Sequence, residues 1–211
     1  MSSDASGGFR FEGVAPGSTE ISVIADGYLA LVSPADVKAR QESTIDLLLR
    51  PTPKQPKVQV TAKEITIKDQ IQFALDSAVI LPQSFGILTE VADTVIRHPE
   101  IKHLEVQGHT DNSGTPEHNK SLSDERAEAV RAWLVQHGVA ADRLVSKGYG
   151  QDNPLVPNVT AANRAKNRRV QFIIVERAGA PAAATPAAGA PPTGAGGSAP
   201  GPRKPQPLPG F

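Results

Sequence analysis

The stretch GHTDNSGTPEHNKSLSDERA, Gly108 to Ala127, crowds a carboxylate (Asp111), an amide (Asn119) and a guanidinium (Arg126) into one short run. A carboxylate accepts hydrogen bonds from ammonium or guanidinium groups, and a guanidinium presents a planar fork of donors that matches a carboxylate. The set suits an internal ion pair or the capture of a charged ligand. The same region holds other chemistry-bearing types. His109, Asp111 and Ser113 or Ser123 supply the members of a hydrolytic triad, and His103, His109, Asp111 and His118 those of a metal site. No G-x-S-x-G elbow accompanies the first set, and no helical His-x-x-x-His pair the second. The residues therefore argue against an enzyme and give no cofactor or metal to expect. A metal-dependent or Ser/His hydrolase is the alternative reading. Cysteine is absent, which removes thiolate zinc sites and thiol nucleophiles.

These groups need elements to place them. Thr115 is a suitable N-cap and Pro116 a suitable first helical residue, so a helix is predicted from about Pro116 to His137, stopped by Gly138. With Asn119 at zero and about 100° per residue, Leu122, Val130, Trp133 and Leu134 fall within roughly 60° of it. Lys120, Asp124, Glu128 and Arg131 fall opposite. Arg126, seven residues on, lands about 20° from Asn119, inside the apolar stripe. A guanidinium there must find partners, because an unpaired desolvated charge costs several kcal/mol. The nearest candidate by sequence is Asp111, just past a strand ending near Gly108 and joined to the helix by the turn TDNSG. An Asp111–Arg126 structural pair and a ligand clamp both satisfy this spacing.

The remaining chain reads as three regions. Residues 57–177 form the main domain. VQVTAKEITI, QIQFAL, KHLEVQG, RLVSKGYG and RRVQFIIVE are predicted strands, with Leu104 and Val106 inward and His103 and Glu105 outward. QSFGILTEVADTVIRHP is a predicted helix. Alternating strands and helices imply an α/β sandwich, a small mixed sheet packed by helices. Residues 1–50 carry strand signals in STEISVIAD and STIDLLL, too few for a stable sandwich alone. PTPKQP at 51–56 is a predicted Pro-rich linker. Residues 178–211, almost entirely Ala, Pro and Gly, are expected to be a disordered tail.

Charge narrows the partners. The chain has 22 basic and 22 acidic side chains, which argues against a general polyanion binder. RAKNRR, with Arg164, Lys166, Arg168 and Arg169, lacks interleaved aromatics, so no nucleic-acid partner is expected. No apolar run reaches 18 residues, so no transmembrane helix is expected. Met1 to Gly8 lacks the basic start and apolar stretch of an export signal, so an exported protein would be represented here by a mature portion or an excised piece. NVT at 158–160 matches a glycosylation sequon, a three-residue pattern of little weight.

The ordered motifs VQGHTDNSGTPEHNKSLSDERAEAVRAWLVQHGV, RLVSKGYGQDNP and NRAKNRRVQF, across roughly residues 65–176, resemble the OmpA-like peptidoglycan-binding family. That family includes peptidoglycan-associated lipoproteins and the wall-binding part of flagellar stators. The resemblance implies a periplasmic, outer-membrane-associated protein that binds the diaminopimelate residue of peptidoglycan stem peptides without catalysis. It implies an ammonium-holding role for Asp111, a carboxylate-holding role for Arg126, and ligand-side positions for Asn119, Thr110, Arg168 and Ser77. His118 departs from the family, where tyrosine is common. The segment DASGGFRFEGVAPGSTEISVIADGY resembles the C-terminal half of a carboxypeptidase-regulatory-like β-sandwich.

Overall fold

Apolar residues recurring at two-residue and three-to-four-residue spacing build one sheet covered by two helices. The computed structural model describes residues 3–4 and 7–178; the expected tail, beyond Ala178, lies outside the described residues. Among them the elements run β1 (Gly17–Val23), β2 (Leu31–Val37), β3 (Val58–Val60), β4 (Glu64–Ile67), α1 (Phe85–Arg97), β5 (Ile101–His109), α2 (Pro116–Gln136), β6 (Leu144–Gly148), α3 (Ala161–Asn167) and β7 (Arg169–Arg177). The main sheet has the order β3-β4-β7-β5-β6. β6 runs parallel to β5, and every other neighbouring pair is antiparallel, so the sheet is mixed as expected.

The core lies between this sheet and helices α1 and α2. Leu88, Val91 and Val95 of α1, Val130 and Leu134 of α2, and Leu104, Val106 and Phe172 of the central strands are fully buried. β5 alternates as its sequence predicts, with Leu104 and Val106 inward and His103 exposed. Arg143, just before β6, ties the layers together. It donates to the carbonyls of Val95, His98 and Ile101, which satisfies acceptors left open where α1 ends and β5 begins.

Three strand expectations are corrected. VQVTAKEITI is not one strand but the β3–β4 hairpin, because Thr61 turns the chain by accepting from the Glu64 N–H while its own N–H reaches the Glu64 carbonyl. QIQFAL joins no ladder. Ile71 and Phe73 point inward, but the segment doubles back at once and pairs with residues 79–81 through one isolated bridge, Phe73 to Ile80. STIDLLL keeps a strand's alternation, with Ile45, Leu47 and Leu49 more covered than Leu48, yet it joins no ladder either. The partner of β1 is instead LVSPADV, which holds a proline opposite Glu20.

The β1–β2 hairpin is fastened to α1. Asp93 Oδ1 accepts from the Ala30 N–H at 2.7 Å and from Arg97 Nε at 2.8 Å. Arg97 Nη2 donates to the carbonyls of Ala25 and Tyr28. Val32 rests on Gly138, where a Cβ would stand 2.3 Å from the valine Cβ. Within the expected linker, Pro51 bridges to Tyr28 and the Thr52 N–H donates to the Gly27 carbonyl. Asp93→Ala leaves the Ala30 N–H and the Arg97 Nε–H without their acceptor. We expect a loss of about 1–3 kcal/mol in urea unfolding of the full chain, and less than half of that in a chain starting at residue 57. Equal losses in both chains would show that the clasp does not couple the two segments.

At the end of β5 the His109 ring is buried (4% exposed), stacks on Tyr149 at 5.3 Å and offers both nitrogens to no partner. Burial, helped by the nearby Arg169 charge, pushes its pKa down from 6.5 to about 4. Between those values the unfolded chain binds a proton that the folded chain refuses. Stability present above pH 6.5 is therefore lost as the pH falls towards 4. We expect roughly 2 kcal/mol to disappear between pH 7 and 4.5, and His109→Phe to flatten that slope. A slope unchanged in the Phe variant would assign it to other groups.

Candidate functional site

The site is built where α2 crosses the ends of β5 and β6. Thr115 caps the helix by accepting from the His118 N–H, Pro116 begins it, and Gly138, at φ +92°, follows its C-cap residue. Glycine is required at the crossing because backbone meets backbone. A Cβ on Gly108 would lie 2.1 Å from the Ser123 carbonyl oxygen, and one on Gly148 would lie 2.3 Å from the Asp124 nitrogen. Two side chains of α2 then bond the sheet end directly. Asp124 Oδ1 accepts from the Gly148 N–H at 2.6 Å, and Ser123 Oγ accepts from the Gly150 N–H at 2.8 Å.

Asp111 sits in the resulting corner. The preceding Thr110 N–H donates to the Gly150 carbonyl, which carries the β5–β6 alignment past the strand end. Asp111 is buried, with its Oδ1 accepting from the Ser113 N–H at 2.9 Å and its Oδ2 from Arg168 Nη1 at 2.5 Å. Burial pushes its pKa up, but the Arg168 and Ser113 bonds outweigh that and hold it below the ordinary value. Asn119 is buried beneath the loop. Its Nδ2 donates to the Asp111 carbonyl at 3.1 Å and to Gln151 Oε1 at 2.8 Å, so it fixes the corner from below.

The partner expected for Arg126 is corrected. Asp111 is paired with Arg168, not Arg126. Arg126 lies at the margin of the buried stripe and reaches the loop between Phe73 and Ile80. Its Nε donates to the Ser77 carbonyl at 2.9 Å, and its guanidinium carbon lies 5.0 Å from the Phe73 ring centre. Burial lowers its pKa, Asp76 opposes that, Arg168 adds to it and Asp111 opposes it again. The charges of Asp76, Arg168 and Asp111 therefore all act on Arg126. The terminal nitrogens of Arg126 make no hydrogen bond among the described residues. The apolar stripe explains why the arginine is half-covered, and the aromatic face supplies the contact that a guanidinium accepts.

Of the six residues singled out in the sequence, the structure brings Asp111, Arg168, Asn119 and Thr110 to one corner. Arg126 and Ser77 form the facing wall. Thr110 Oγ1 is buried without a partner. Among the described residues the hydrolytic set is not linked, since both His109 ring nitrogens lack a partner and Ser123 Oγ is spent on Lys120 and Gly150; in the metal set His103 faces Glu176 and His118 faces Asp76. Among the described residues no group of three His, Cys, Asp or Glu could hold a metal ion. Sequence reasoning missed Phe73, Asp76 and Gln151, which touch the site residues from loops. It also missed α3, whose signal was the Thr160 cap accepting from the Asn163 N–H. Asn167, fully buried, pins the loop before that helix through Leu155, Val156 and Asn158. Arg169 is held by Asn153, Asn167 and Gln171, whereas among the described residues the Arg168 side chain has Asp111 alone.

Residues 72–168 match the OmpA family model. Outer membrane porin F of Pseudomonas fluorescens is 38% identical over 123 residues, 58% of this chain and 36% of that protein. The peptidoglycan-binding protein ArfA of Mycobacterium bovis is 39% identical over 104 residues, 49% of this chain and 32% of that protein. The chain thus spans about a third of the length of these curated relatives. Among solved structures, the peptidoglycan-associated lipoprotein from Burkholderia pseudomallei is 32% identical with a TM-score of 0.46, covering 50% of this chain and 89% of that one. Among the described residues no helix is long and apolar enough to cross a membrane. The span that carries the whole corner, residues 72–168, is a domain of the OmpA family.

Proposed function

We propose that residues 57–177 bind peptidoglycan non-covalently, through the free zwitterionic end of a diaminopimelate residue, and so tether a cell-envelope protein to the wall. The carrying observation is the state of Arg126. Its Nε is anchored on Ser77, its face rests on Phe73, and its terminal nitrogens are left over within the electrostatic reach of the buried Asp111 carboxylate. A ligand with a carboxylate and an ammonium on one carbon matches that pair. The relatives support the reading: ArfA is named a peptidoglycan-binding protein, and porin F an outer membrane protein.

Binding follows as an exchange of partners. The ligand ammonium replaces Arg168 at Asp111 Oδ2, and the freed guanidinium turns to the ligand carboxylate beside Arg126. Arg168 is suited to this because its side chain is 50% exposed while that of Asp111 is 7% exposed. The buried Thr110 hydroxyl offers a further contact. Asn119 and Ser77 act from behind, by fixing Asp111 and Arg126.

Calorimetric titration of the full chain with matched stem peptides tests the reading. Arg126→Ala is expected to weaken binding about 10- to 150-fold, the value of a charge-assisted hydrogen bond of roughly 1.5–3 kcal/mol, with the fold intact. Lysine-type peptides lack the second carboxylate and leave Arg126 unpaired, so at least tenfold weaker binding is expected, on the order of 1.4 kcal/mol. Amidating the diaminopimelate carboxylate acts in the same direction. Equal affinity for the three peptides would refute the two-charge clamp.

A further inference from the structure

The wall that holds Arg126 is an exposed loop with little else to hold it. Its legs pair through the Ala74 N–H to the Val79 carbonyl and the Leu81 N–H to the Gln72 carbonyl, each at 2.9 Å. At the tip Leu75 is 97% exposed, and Asp76 takes a left-handed backbone, φ +49°, which aspartate accepts more readily than most non-glycine residues. Ser77 follows, and its carbonyl is the acceptor that fixes Arg126 Nε. The tip touches α2 at one other polar contact: Asp76 Oδ1 lies 2.7 Å from His118 Nε2. His118 is itself fixed, since its N–H is the one Thr115 caps.

We propose that the Asp76–His118 pair is the positioning device of the binding site, holding the loop tip in register with α2 so that Ser77 can aim Arg126. The proposal rests on the ligand role of Arg126 given above and adds two residues that touch no ligand. Both contacts of the tip end on one helix, His118 on its first turn and Arg126 two turns later. The pair therefore sets where the Ser77 carbonyl stands along the helix axis. Without it, Arg126 would have to hold the loop that is meant to hold Arg126. A guanidinium freed from Nε anchoring swings about its long stem and loses the geometry that a two-bond grip on a carboxylate demands. The effect should be confined to the carboxylate half of the ligand, because Asp111 is fixed separately by Ser113 and Asn119.

The test uses the full chain with Asp76→Gly, which keeps the positive φ without strain, His118→Ala, and the double variant. The first readout needs no ligand: the Arg126 Nε–H resonance by nitrogen-15 NMR. It should be protected and single in the wild type and broadened or exchanging in each variant. The second is affinity for the diaminopimelate peptide and its carboxamide. Each single variant should bind the peptide about threefold to fivefold more weakly, the range open to one exposed side-chain contact. The double variant should be no worse than either single one, and the carboxamide should bind all four proteins alike. Losses that add in the double variant, or that fall equally on the carboxamide, would reduce the pair to general support. An unchanged Arg126 resonance would overturn the proposal even if the wild type failed to prefer the peptide, a result that would sink the clamp reading alone.

Discussion

Everything at the corner around Asp111 depends on one close approach, backbone against backbone, between α2 and the sheet. Gly108 and Gly148 let the helix settle where any side chain would collide with Ser123 or Asp124. The approach brings hydrogen bonds with it, from Gly148 and Gly150 to the side chains of those same two residues. A helix so seated has no freedom to slide or roll. Asn119 lies one turn before the crossing and Arg126 nearly one turn after it. Their positions relative to Asp111 are therefore consequences of the glycines rather than of the loop between them.

The electrostatics of the corner are arranged around a shortage. Two guanidiniums, Arg126 and Arg168, face one buried carboxylate, and Arg168 has taken it. Arg126 is left with a carbonyl and an aromatic face, contacts that hold a cation without neutralising it. Asp76 supplies some of the missing negative charge from an exposed position. The corner is complete as a fold, with Asp111 taken by Arg168 and the terminal nitrogens of Arg126 without a hydrogen bond among the described residues. On the proposed reading, that arrangement lets the corner stay stable without the ligand and still offer donors to it.

What could be read in the sequence followed from local periodicity. Thr115, Pro116 and Gly138 bounded α2 correctly because capping and left-handed stops are local events. Leu104 and Val106 marked the buried face of β5, and the alternation of Ile21 and Val23 marked β1. What was missed is non-local. Arg168 and Asp111 are 57 positions apart, so spacing near Asp111 pointed to Arg126 instead. QIQFAL alternates like a strand, but whether a strand forms depends on an available neighbour, and the chain reversed before reaching one. β2 was hidden by Pro34, tolerated because this two-stranded sheet has open edges.

The clasp between α1 and the β1–β2 hairpin has a mechanical side. A pull on the chain ahead of β1 does not first straighten the proline-containing stretch before residue 57. It arrives at Ala25, Tyr28 and Ala30, whose backbone groups are held together by Arg97 and Asp93. Three bonds loaded in parallel share a force that would open them one by one if loaded in series. Tension is thus handed straight to the C-terminal end of α1, a helix buried against the sheet, and only then to the corner at the far end of β5. Bonds arranged this way give way together, not by gradual unravelling from the chain's leading end.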